Sequence, residues 1–421
     1  MSLFEKANIT NNNPKDTKKS IRLAGRIDIF IIIALVILIV TPFVLYVSGK
    51  IETATNQVNL FISARCEELF GKEIMKSLLQ EFEKKNPNIR IRIANAALIG
   101  NPDILVFDDG DFSALVAAGG LAELNSYTNY DSGTQQLAIP LVSFFNLLFY
   151  NINVLTAAGF DHPPKTREQF ITYARRVSNG DFGASGAAIS LNTDDRLALS
   201  RDIFSWIWAS GGNFWQAGDK PSLNTRTAVS DITFLGNLNR EGLLAPGIYE
   251  TTGEQRLEQF AQGRIAMMIA STRAIPYLSA RMRSSAFGIT TIPDSGAGGK
   301  YSSGLSSIYA GISSNSEYPE EAWSFLVFLA ENSSSLCAEL KAVPGVVSNI
   351  IPGDYVSDDP VYSKAWDIFE ASQIVDGFSG KPGAEQYKTI FMDELLIFFA
   401  GSRTAQDTVN IIQQRWDAVS P

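Results

Sequence analysis

No Asp, Glu, Lys, Arg or His falls between Asp28 and Lys50, and Ile29 to Val47 is almost continuously apolar. A run of that length can cross the hydrocarbon core of a bilayer as a helix. Pro42 is tolerated in a membrane helix and does not change the reading. Lys6, Lys15, Lys18, Lys19, Arg22 and Arg26 precede the run, against Glu5, Asp16 and Asp28. The positive flank stays on the cytoplasmic side, so everything after Lys50 is expected outside. A cleaved signal peptide is the alternative, although its apolar core is usually shorter. The reading adopted here is an uncleaved single-pass anchor in the cytoplasmic membrane over 29–49, after a cytoplasmic segment over 1–28 and before a linker over 50–57.

With 421 residues, the remainder is long enough for about two domains of ordinary size. Apolar residues make up 45% and charged residues 19%, a globular balance. The net charge of −9, with no basic cluster beyond the first residues, excludes nucleic acid as a partner. His162 is the only histidine, which excludes multi-histidine zinc sites and paired-histidine catalysis. Within Asp161-His162-Pro163-Pro164 it reads as a solvated turn. Cys66 and Cys337 lack CxxC spacing and signal neither redox nor metal chemistry. A disulfide and two separate thiols both remain open, with separate thiols favoured. No cofactor and no metal are expected.

Val58 to Ile62 reads as a strand, and Glu67 to Lys85 as an amphipathic helix with Leu69, Phe70, Ile74, Leu78, Leu79 and Phe82 at helical spacing. Asn86-Pro87-Asn88 stops it. Strands are expected over Ile89 to Ile93 and Asp103 to Phe107, with a helix from Phe112 to Ala118 ended by Gly119-Gly120. Further on come strands at Leu147–Tyr150, Ala266–Ala270 and Phe287–Thr291, and helices at Arg167–Val177, Glu254–Gln262 and Pro319–Ala330. Asp294 to Ser307 reads as a flexible loop rich in Gly and Ser. This alternation predicts an α/β fold, mixed parallel sheets with helices on both faces.

Several segments, in order, carry a resemblance. Among them are Glu81-Phe82-Glu83-Lys84-Lys85-Asn86-Pro87, Asn101-Pro102-Asp103-Ile104-Leu105 and Ala118-Gly119-Gly120-Leu121. Later come Pro164-Lys165-Thr166-Arg167-Glu168-Gln169-Phe170 and Phe260-Ala261-Gln262-Gly263-Arg264-Ile265-Ala266-Met267. Together they resemble the family 1 extracellular solute-binding proteins of ABC importers, the group that includes the maltose-binding protein. The resemblance implies a two-lobed, type II periplasmic-binding-protein-like fold, with ligand held in the cleft and handed to the importer's permease. It implies chain crossings near Pro140–Asn151, Thr291–Gly311 and Val343–Ser348. The lobes are then expected at 58–145 with 300–345, and at 146–299 with 346–421.

A sugar presents hydroxyls around its rim and apolar C–H faces, so its site needs carboxylates, amides or guanidiniums together with aromatic rings. Strand-end segments supply Arg65 and Glu67 after the first strand, then Phe107, Asp108, Asp109 and Asp111 after the Asp103 strand. The bland alternative for the acidic run is a solvated turn capping the next helix. By resemblance, Phe144 stands where the maltose-binding relative has an acidic sugar ligand, and Arg273 where it has a stacking tryptophan. The second lobe offers Asp202 and Trp215, with Trp206 assigned to the core, and the glycine-rich crossing segment offers Ser303.

The expected activity is binding of a carbohydrate or related small solute without chemical change. A tethered ligand-binding sensor is the competing reading, since a permanent anchor suits it. A glycoside hydrolase would need two carboxylates flanking the bond, as Glu67, Glu68, Asp108 and Asp109 could supply.

Overall fold

The computed structural model describes residues 57–94, 101–127, 136–195, 199–215, 220–223, 225–296, 302–345, 358–375 and 377–420. The predicted anchor over 29–49, the segment before it and Val346–Ser348 of the third crossing lie outside the described residues. Among the described residues no helix is long and apolar enough to cross a membrane. The chain divides into two units, Met1–Val58 with Asn86–Arg90, and Asn59–Lys85 with Ile91–Pro421. In the first, the Val58 amide donates to the Asn88 carbonyl at 2.8 Å, and the Ile89 amide to Asn86 at 3.0 Å. The second holds the rest of the fold.

The strands are β1 (Val58–Ser63), β2 (Ile89–Ala94), β3 (Ile104–Asp108), β4 (Ile139–Asn151), β5 (Ser185–Ala188), β6 (Ile265–Ser271), β7 (Phe287–Thr290), β8 (Ser302–Ile312), β9 (Val343–Pro344) and β10 (Gln373–Val375). Their order is β2-β1-β3-β8-β4-β6-β5, with β10 on β8 and with β7 and β9 on β4. The sheet is mixed, as expected. β1 with β3, β5 with β6 and β8 with β10 run parallel, while β4 meets each of its partners antiparallel.

β4 and β8 organise the molecule. The first half of β4 pairs with β8, from Ile139 opposite Ala310 to Phe145 opposite Leu305. Its second half pairs with β6, from Asn146 opposite Ser271 to Tyr150 opposite Met267. Only its final segment, Leu147–Tyr150, is legible as a strand. The unbroken run Phe144-Phe145-Asn146-Leu147-Leu148-Phe149 is buried on both faces, which hides the alternation of a half-exposed strand.

Two local expectations are corrected. The helix expected over Glu67 to Lys85 is two helices, Arg65–Phe70 and Lys72–Lys85. Gly71 separates them at φ +94, a conformation that a side chain resists. The loop expected over Asp294 to Ser307 gives way to β8 from Ser302 onward. There the small residues serve packing. A Cβ on Gly304 would collide with the Trp208 indole, and the Ser307 hydroxyl meets that of Ser143 at 2.7 Å in the interior.

One core gathers Phe204, Trp206, Phe214, Phe378, Phe391 and Trp416. A second gathers Phe149, Met268, Phe287 and Tyr362, and a smaller one forms around Phe107, Leu121 and Ala138. Cys66 and Cys337 are free and buried, and burial pushes both thiols up to about 12.

Candidate functional site

The carboxyl end of β3 passes directly into the helix Asp109–Ala117, so three carboxylates cluster at one turn. Asp108 is the helix cap, accepting from the Gly110 amide at 3.0 Å. Arg65, opening the helix after β1, reaches Glu68 at 2.9 Å, Asp108 at 3.2 Å and Asp111 at 3.3 Å. The hydrogen bond to Glu68, then the charges of Asp108 and Asp111, hold its guanidinium above the ordinary range against some desolvation. Asp109 turns the other way. It accepts from the Ser307 amide at 2.8 Å, the Tyr309 hydroxyl at 3.1 Å and the Ser379 hydroxyl. Burial pushes its carboxyl above the usual range, although all three donors favour the charged form.

Facing them is a wall built from β6 and the elements around it. A π-helical turn, Ser200–Phe204, runs straight into the helix Ser205–Ala209 and presents Arg201 and then Trp208. The helix Gly253–Ala261 starts with a full capping box from Thr252 and Gln255, and contributes Gly253, Arg256 and Leu257. Asp202 lies behind, 1% exposed, pairing with Arg201 at 2.8 Å and with Arg256, and accepting from the Ser190 amide at 2.6 Å. After β6, Arg273 stacks on the Phe144 ring, 3.9 Å from its centroid.

Between the two walls lies a cavity of about 660 Å³. Its floor and rim include Asn146 of β4, Gly304 and Ser306 of β8, Phe378, Ser379 and Lys388. That volume falls within the range of small-molecule sites, about 300–1,000 Å³. Fixed carboxylates and guanidiniums, one carboxamide, an indole and a phenyl ring suit a hydroxylated ligand with apolar faces.

Of the residues expected at the site, Arg65, Asp108, Asp109, Asp111 and Arg273 line this cavity. Glu67, Phe107, Phe144, Asp202 and Trp215 do not. Phe107 packs inward on Phe112 and Tyr309, with ring centroids at 5.3 and 5.8 Å. Phe144 is 2% exposed and lies beneath Arg273. Asp202 is held behind two arginines. Trp215 packs on Phe378 and Tyr387 while its indole N–H donates to the Gly377 carbonyl at 2.8 Å. Glu67 lies in the helix Arg65–Phe70 and off the wall. The backbone of Ser303 pairs with Ile374 in the β8–β10 ladder. Sequence reasoning missed Arg201, Trp208, Arg256, Phe378, Ser379 and Lys388 as wall residues. The proximity of Arg201 and Trp208 to Asp202 was the one local signal available. His162, on its exposed turn, has Nδ1 3.1 Å from the Tyr173 hydroxyl.

The family model for bacterial extracellular solute-binding proteins matches residues 71–334. The chain belongs to that family. As an extracellular solute-binding protein it has its binding domain outside the cytoplasm. It is 26% identical over 286 residues to a galactooligosaccharide-binding protein of Bacillus subtilis, covering 63% of each chain. It is 24% identical over 200 residues to a binding protein of Brucella abortus, covering 45% of this chain and 46% of that one. The solute-binding protein thus spans about half the length of the first curated relatives it matches. Two solved structures share its two-lobed fold. The cyclic alpha-maltosyl-1,6-maltose binding protein of Arthrobacter globiformis superposes with a TM-score of 0.70 at 17% identity, over 86% of this chain and 99% of that one. Maltose-bound MalE3 of T. maritima gives 0.67 at 18% identity, over 86% and 100%.

Proposed function

We propose that this chain captures a saccharide in the 660 Å³ cavity and passes it, chemically unchanged, to the permease of an ABC importer. The observation that carries the reading is the composition of the cavity wall. Carboxylates already held in place by Arg65 and by β8 can accept hydrogen bonds from sugar hydroxyls. Trp208 and Phe378 offer apolar faces from the opposite core. Relatives described as binding a galactooligosaccharide, maltose and a cyclic maltosyl-maltose support the saccharide class. The lobes are assigned to 58–145 with 300–345 and to 146–299 with 346–421. In support, β4 exchanges β8 for β6 between Phe145 and Asn146. The uncharged run over 29–49 serves as a single-pass anchor in the cytoplasmic membrane.

A thermal-shift screen of the full chain against mono- and oligosaccharides tests the reading. A ligand at a hundredfold excess over its Kd should stabilise the protein by about 2.7 kcal/mol. The double variant Asp108→Ala with Asp109→Ala should abolish that gain. Silence across all saccharides sinks the assignment, and release of cleaved product would make the protein an enzyme instead.

A further inference from the structure

Among the described residues, five cationic side chains line the cavity: Arg65, Arg201, Arg256, Arg273 and Lys388. Four of them already face carboxylates. Arg65 has Glu68, Asp108 and Asp111; Arg201 and Arg256 share Asp202; Lys388 lies 3.0 Å from Glu385. Arg273 differs from all of these. Among the described residues its guanidinium makes no ion pair and no side-chain hydrogen bond, and only its backbone amide donates, to the Ser271 hydroxyl.

The carboxylates whose charge reaches Arg273 are Asp108 and Asp109. Both are committed elsewhere, Asp108 to Arg65 and the Gly110 amide, Asp109 to Ser307, Tyr309 and Ser379. What Arg273 does have is a platform, the buried Phe144 ring 3.9 Å beneath it. Stacking against a fixed ring restrains the planar guanidinium and leaves the N–H groups around its edge unspent. Two of those N–H groups side by side match the two oxygens of a carboxylate or phosphate, whereas a hydroxyl fills a single position. Among the described residues Arg273 is thus the one cation lining the cavity that has no carboxylate in ion-pair reach, and the ligand can bring one.

We propose that Arg273 receives an anionic substituent of the captured sugar, so that the substrate class is acidic saccharides, bearing a carboxylate or a phosphate, rather than neutral ones. This rests on the saccharide reading above. Asp108, Asp109 and Asp111 would then meet the hydroxylated part of the same ligand.

Isothermal titration of the full chain in detergent decides it, using matched probes. Disaccharides of glucuronate, galacturonate and mannuronate are compared with their methyl esters, and hexose 6-phosphates with the parent hexoses. At least one acidic probe should bind about tenfold or more tightly than its neutral partner, as expected for charge-assisted hydrogen bonds. Arg273→Gln should bring that pair to parity. Arg273→Lys, which keeps the charge but loses the fork, should retain part of the preference and shows that a loss in the Gln variant is not misfolding. Neutral probes binding as well as acidic ones, or a preference unchanged in Arg273→Gln, would overturn the inference and leave the saccharide reading standing. Failure of every saccharide in both sets removes the two together.

Discussion

Arg167 and Asp231 form a buried ion pair, Nη1 to Oδ1 at 2.5 Å, with Asp231 fully enclosed. Ser210 donates to the same carboxylate oxygen at 3.1 Å, while among the described residues the other oxygen has no partner. Loss of hydration pushes the Asp231 carboxyl up to about 6, against the opposing pull of Arg167. Because the folded value lies above the unfolded one, this group's contribution to stability is complete at acid pH, below the unfolded value, and is lost as pH rises through about 6. Arg167→Met strands the carboxylate, and should cost about 3–5 kcal/mol at pH 7.5. The cost should shrink at pH 5, where Asp231 can take up a proton. Urea unfolding of both proteins at the two pH values measures this, and an equal cost at both contradicts it. Gly304 is the residue on which the shape of the site turns, since any Cβ there meets the Trp208 indole. Gly304→Ala should destabilise the fold by about 1–3 kcal/mol through overpacking. Titration calorimetry should show weaker ligand binding in the same variant, because the displaced indole is part of the cavity wall. None of this could be read from the sequence. The sequence assigned Trp206 to the core and offered Trp215 for the cleft, and only the packing of β8 puts Trp208 on the wall instead.

Elements with an amphipathic pattern and clear ends were legible. The helix Arg167–Ser178 follows its Thr166 cap, whose hydroxyl accepts from the Gln169 amide at 3.3 Å, and matches expectation to within one residue. β3 and the helix Pro319–Glu331 also fall within one residue of their expected ends. The break at Gly71 was not legible, since apolar spacing runs on across it and the positive φ answers to the packing of two short helices. Gly71→Ala should cost of the order of 1–3 kcal/mol, the usual strain of a side chain in this backbone region. Since the helix Arg65–Phe70 sets the position of Arg65, the same variant should also weaken ligand binding. Denaturant melts and titrations of one preparation test both effects, and an unchanged midpoint would show that the helices re-form without the glycine.

At the scale of the whole molecule, the proposed anchor makes a separate prediction. The full chain should stay with membranes through alkaline carbonate extraction and leave them in detergent, while a fragment beginning at Lys50 should stay in the supernatant. Full chain in the carbonate supernatant would remove the anchor. Sequence alone determined the apolar run over 29–49, the elements with clear spacing and ends such as β3 and the helices Arg167–Ser178 and Pro319–Glu331, and the acidic turn Asp108–Asp111 beyond β3. These are short-range properties, written in spacing, charge and the residues that end an element. Tertiary structure alone decided which side chains meet across the cavity. Asp109 finds Ser307, Tyr309 and Ser379, and Asp202 withdraws behind Arg201 and Arg256. Those partners lie up to 270 positions apart, and what brings them together is the register of β4 and β8, fixed by the packing of cores on both sides. No local pattern encodes a register, because it is set by the summed packing of many distant side chains.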